Sequence, residues 1–123
     1  MSTAADATFE AITAADLRTM DDELRNGLPF GVVGIDAGGL TRIYNTTESK
    51  LAGLGPDRVL GLDFFNAVAQ CMNNYMVAQR LIDEPELDAI VPFVLTLRMR
   101  PTPVRLRLLA SRAEPLRFVL IER

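Results

Sequence analysis

Three side chains in this sequence have the chemistry to act together: the phenol of Tyr44, the carboxyl of Glu48 and the thiol of Cys71, the only cysteine present. Tyr44 and Glu48 are spaced so that one helical turn brings phenol and carboxyl toward a common pocket. Taken alone, Glu48 reads as an exposed helix glutamate. Cys71, in "FFNAVAQCMNN", reads by itself as a small buried hydrophobe. Catalysis by that thiol needs a base or an electropositive neighbourhood, and the adjacent sequence supplies neither.

The residue inventory excludes much other chemistry. The chain has no histidine, so a histidine-activated serine or cysteine nucleophile and histidine-ligated zinc are both ruled out. One cysteine builds neither a zinc finger nor an iron–sulfur site unaided, and it forms no internal disulfide. Asp83, Glu84, Glu86 and Asp88 are oxygen ligands in principle, but they lack calcium-loop spacing and read as a solvated loop. The glycine pair Gly38 and Gly39 suits a turn better than a phosphate cradle, which would need a lysine and a following helix. Arg98, Arg100, Arg105 and Arg107 read as the solvent face of a sheet, with a partner surface as the second possibility. We therefore expect no metal site and no enzymatic activity.

Composition agrees with a soluble globular protein rather than a disordered one. The 123 residues are 49% hydrophobic and 24% charged, with a formal net charge of −3. That balance gives no support for nucleic-acid binding. No run approaches the roughly 20 apolar residues of a membrane span, and the first residues lack a secretory pattern. A cytoplasmic location is the expectation.

The elements that must position these groups are read as follows. Residues 13–26 form a helix opened by a Thr13–Asp16 capping box, with Leu17, Met20 and Leu24 on one face. Strands at 30–35 and 40–45 flank the turn "DAGG". Short helical pieces follow around "TTESKLA" and "FFNAVA", then a longer helix over 72–82. Met72, Met76 and Val77 are expected in the core. Strands are read at 90–99, at 104–111 after a break at "RPTP", and at 116–122. Val104, Leu106 and Leu108 alternate with Arg105 and Arg107, which predicts a sheet with one wet face. The fold class is α+β: a five-stranded antiparallel sheet with helices on one face and an N-terminal helical cap. The cap is assigned to residues 1–26 and the core to 27–123.

In this setting the run "LPFGVVGIDAGGLTRIYNTTESKLAGLGPDRVLGLDFFNAVAQC", with "MRPTPVRLRL" and "RFVLIER" after it, resembles the photoactive yellow protein family of blue-light receptors with the PAS fold. The resemblance implies that Cys71 carries 4-hydroxycinnamic acid (p-coumaric acid) as a thioester. It implies that Tyr44 and Glu48 donate hydrogen bonds to the phenolate end of that chromophore. Phe64, Val68, Ala69, Gln70, Leu95 and Met99 would line the site, Met99 matching a methionine associated with thermal recovery. Light would isomerise the chromophore, draw a proton from Glu48 and loosen the fold at the N-terminal cap. The signal would pass to a separate, unidentified signalling protein, from a monomer or weak homodimer.

The chain also departs from the family pattern. Ala52 stands where a supporting threonine is usual, Leu54 where a gating arginine is usual, and Gln70 where a proline precedes the cysteine. The segment after Cys71 is about two residues shorter than the family's. Leu95 replaces an aromatic near the chromophore, and Phe118 replaces a near-terminal tryptophan. These changes predict fewer hydrogen bonds and no positive charge over the ring. The alternative is a PAS sensor or interaction module that is not photoactive and binds another small ligand or a protein.

Overall fold

The structure, a computed structural model, describes residues 7–96 and 100–123. Five antiparallel strands form one sheet: β1 (Gly31–Ile35), β2 (Thr41–Tyr44), β3 (Leu87–Leu95), β4 (Thr102–Ala110) and β5 (Arg117–Glu122). Their order across the sheet is β2-β1-β5-β4-β3. Four helices complete the described elements: α1 (Ala14–Thr19), α2 (Asp22–Asn26), α3 (Thr46–Ala52) and α4 (Ala78–Asp83), joined by short 3₁₀ and π turns. The α+β architecture expected from the sequence is the one observed.

The period-two alternation of the central strands sends side chains to opposite faces. Val33, Leu106, Leu108, Val119 and Ile121 point toward the helical layer and pack with Phe64, Phe65, Val77 and Leu81. Val32, Leu109, Phe118 and Leu120 point the other way, where Phe9, Ile12, Leu17 and Phe30 cover them. Each such side chain taken fully out of water contributes about 1.5–3 kcal/mol. The wet face predicted from the arginine alternation is kept only toward β3, where Asp88, Ile90, Val94 and Arg105 are exposed, while the N-terminal residues cover the rest. Arg107 is 4% exposed: its guanidinium donates to the carbonyls of Phe9 and Ile12 and grips Asp88 with two further bonds. A buried cation is tolerable here because its donors are met by partners. Arg105 on the same face stays exposed, paired with Glu10 and Glu122 and stacked 4.9 Å over the Phe9 ring.

Local boundaries differ from expectation for identifiable reasons. The Thr13–Asp16 capping box forms, but the helix predicted over 13–26 is two helices. Asp21 caps a second start at Leu24 N, and Arg25 reaches back to the Leu17 and Met20 carbonyls that the break leaves open. Leu24 consequently lies outside the core, 55% exposed. The helix predicted over 72–82 begins only at Ala78, because Asn74 Oδ1 accepts from the amides of Met76 and Val77 and holds them in a turn. Met72 and Val77 are in the core as expected, whereas Met76 is exposed. β3 begins at Leu87, three residues before the predicted start. β4 takes in Thr102 and Pro103, which was read as a break. Pro103 pairs with Val94 beyond the reach of β5, so its missing N–H disrupts no second ladder. The predicted strand residues 97–99 lie outside the described residues.

Candidate functional site

Asn45 builds the near wall of the site. It is 2% exposed and caps α3, its Oδ1 accepting from Glu48 N at 3.1 Å and from Val32 N at 2.9 Å. Its Nδ2 donates to the carbonyls of Arg25 and Phe30. One side chain thus ties α2, β1 and α3 together with its hydrogen-bonding capacity well used. The first turn of α3 then delivers Glu48 against β1.

Glu48 is 2% exposed, and Gly31 is what admits it. A Cβ on residue 31 would lie 2.1 Å from Glu48 Oε1. The carboxylate is met by Arg123, just past β5: Nη1 donates to Oε1 at 2.7 Å and Nη2 to Oε2 at 3.2 Å. Burial pushes the Glu48 carboxyl above its ordinary value of 4.5, and the Arg123 hydrogen bonds and charge pull it partly back. Tyr44, 7% exposed, has its phenol pushed well above the usual range, first by burial and then by the nearby Glu48 charge. The two groups expected to act together are therefore electrostatic neighbours.

Most of the remaining predicted residues lie in the core on the helical side of the sheet. Tyr44, Phe64, Ala69 and Leu95 belong to one buried cluster, with Leu54, Val68 and Cys71 half-buried against it. Ala52, 3% exposed, closes the end of α3. A π turn over Phe64–Val68, capped by Asp63 at Asn66 N, leads into the 3₁₀ turn Gln70–Met72 that presents Cys71. Single π turns of this kind recur at functional sites. Gln70 is brought into the turn, but its side chain is exposed and donates to Asn66 O at 2.7 Å. Met99 lies outside the described residues, as does Arg98. Asn45, Gly31 and Arg123 were not singled out in the sequence. The Asn45 cap alone had a local signal, an asparagine directly before a helical run.

The acidic residues form no metal centre. Glu84 pairs with Arg80, Asp88 with Arg107, and Glu86 accepts from Arg112 N. Among the described residues there is no group able to hold a metal ion. Nor is any helix among them long and apolar enough to cross a membrane.

Sheet order and helical layer together define a domain of the PAS class. The chain resembles the PAS domain of an HTR-like protein from Haloarcula marismortui in fold, with a TM-score of 0.61 at 20% identity. No protein-family model matches the chain. A much nearer likeness is the photoactive yellow protein domain of the sensor histidine kinase Ppr from Rhodospirillum centenum. It is 30% identical, with a TM-score of 0.81 over 89% of this chain and 98% of that one. Photoactive yellow protein from Halochromatium salexigens is 27% identical over 110 residues, covering 87% of this chain and 88% of that protein. The protein of that name from Rhodothalassium salexigens is 29% identical over 92 residues, covering 72% and 74%. The chain belongs to the photoactive yellow protein family, as a divergent member.

Proposed function

We propose that this protein is a blue-light receptor that binds 4-hydroxycinnamic acid as a thioester on Cys71, with Glu48 as proton donor and Tyr44 as second donor. The observation that supports this most is the gathering of a phenol and a thiol on one apolar cluster, with a buried carboxyl beside the phenol. When bound, the chromophore supplies light absorption and a double bond that isomerises. Cys71 anchors one end. Phe64, Val68, Ala69, Leu54 and Leu95 exclude water, which strengthens every hydrogen bond made inside. Glu48 is suited to hold a proton because burial already raises its carboxyl. Ala52 and Leu54 offer neither a donor nor a charge, so Tyr44 and Glu48 carry the polar contacts of this wall.

A Glu48 that has given up its proton is a charge in a buried site, and a fold answers such a cost by loosening locally. In this reading the N-terminal cap is the part that loosens, and its altered contacts pass the signal to a separate signalling protein. The chain acts in this reading as a cytoplasmic receptor, monomeric or weakly dimeric, and not as an enzyme. Incubation with activated 4-hydroxycinnamic acid is the test. Visible absorbance and an added mass on Cys71 are expected in the wild type, and Cys71→Ala abolishes both. A colourless, unmodified wild type would refute the reading.

A further inference from the structure

Arg123 occupies a place that the sequence did not mark. Val119 and Ile121 of β5 point into the helical layer, and Arg123 follows on the same alternation. Ile121 stands opposite Gly31 in the β1–β5 ladder, and Glu48 rests directly over Gly31. The guanidinium therefore meets the carboxylate as a two-bonded pair, with Arg123 only 17% exposed along its side chain and Glu48 2%. Tyr44 is the other titratable group beside the pair, its phenol raised first by burial and then by the Glu48 charge. Among the described residues Arg123 is the one cation paired with Glu48. Position 54 is a leucine, and the positive charge at Glu48 comes from the end of the sheet.

We propose that Arg123 holds Glu48 as a carboxylate in the unloaded protein and closes it to a phenolic ligand until the pair opens. This rests on the reading of Glu48 as the proton donor of the pocket. A carboxylate whose two oxygens are both taken by a guanidinium accepts hydrogen bonds and has none to give. Glu48 becomes a donor only when one proton from solvent is added to its carboxylate and Arg123 withdraws. Arg123 is thus a positioning residue, setting the protonation state of the group beside it.

The test uses the full chain in its unloaded form. The Glu48 carboxyl carbon is followed by NMR against pH in the wild type, Arg123→Gln and Arg123→Lys, with assignment by its disappearance in Glu48→Gln. In Arg123→Gln the carboxyl is expected to stay protonated to higher pH than in the wild type, with Arg123→Lys between them. Cys71 acylation by activated 4-hydroxycinnamic acid is then timed by intact mass. Arg123→Gln is expected to load about tenfold faster, the factor that corresponds to 1.4 kcal/mol of pair opening. Activated cinnamic acid, which lacks the hydroxyl, should load both proteins alike. Superimposable Glu48 titrations in wild type and Arg123→Gln would overturn the assignment, and equal loading rates would overturn the closing role. If no protein gains mass on Cys71, the light-receptor reading fails, while the titration still decides whether Arg123 sets the charge on Glu48.

Discussion

Gly31→Ala probes the site with one methyl group. The added Cβ would lie 2.1 Å from Glu48 Oε1, 3.0 Å from Cδ and 3.1 Å from Cβ, so the carboxylate must move. Displacing it breaks hydrogen bonds to a charged partner, worth about 1.5–3 kcal/mol. Forcing extra volume between β1 and α3 adds about 1–3 kcal/mol. Against this, alanine restricts the unfolded chain and recovers about 0.4–1 kcal/mol. The net expectation is a loss of about 1.5–5.5 kcal/mol, obtained from these three ranges. Urea unfolding at neutral pH measures it, in the wild type and in a Glu48→Ala background. Once the glutamate is gone the methyl has room, and Gly31→Ala should then cost less than about 0.5 kcal/mol, a coupling that a double-mutant cycle isolates. An equal cost in both backgrounds would show that Gly31 serves the strand itself and not the placement of Glu48.

Two further outcomes follow from the same wall. Asn45→Ala removes a helix cap and leaves buried groups at Val32 and Phe30 unpaired, so thermal unfolding should reveal a loss of about 3–5 kcal/mol. The pH dependence of Glu48 has a definite sign. Its folded value is raised above 4.5, so the native state binds the proton more tightly than the unfolded chain does. The stability this contributes is complete below the unfolded value and is lost as pH rises through the folded one. Relative to Glu48→Gln, the wild type should lose stability over that interval, read by denaturant melts at successive pH values; a wild type that gains stability on Glu48→Gln as pH rises would contradict the raised value.

What was legible in the sequence was what is encoded locally. The Thr13–Asp16 capping box, the hairpin turn between β1 and β2 and the period-two strands are all short-range patterns, and each is present. Where a single side chain intervened, the pattern misled: Asp21 restarted a helix that periodicity had run through, and Asn74 delayed α4. The larger misreading was non-local. Arg107 alternates like a surface residue, yet its partners Phe9 and Ile12 lie at the other end of the chain, and no window of sequence shows them together. The candidate site divides in the same way. Tyr44, Glu48 and Cys71 were visible together only through the family pattern: local spacing read Glu48 as an exposed helix residue, whereas it is buried, and Tyr44 ends β2 instead of sharing the α3 turn. The Arg123 pairing and the need for glycine at position 31 arise only when β5 is laid beside β1.

Arg107 has a consequence for the loosening of the N-terminal segment proposed above. Asp88 of β3 grips one edge of the guanidinium, so the group stays with the sheet even when Phe9 and Ile12 let go. Lifting the segment exposes a fixed pair of N–H donors, spaced for two particular carbonyls rather than for any apolar surface. A detached segment that slid along the sheet would still find oily ground, but only one alignment fills that socket. A segment so released would therefore have one register in which to re-dock, whatever path it took away from the sheet.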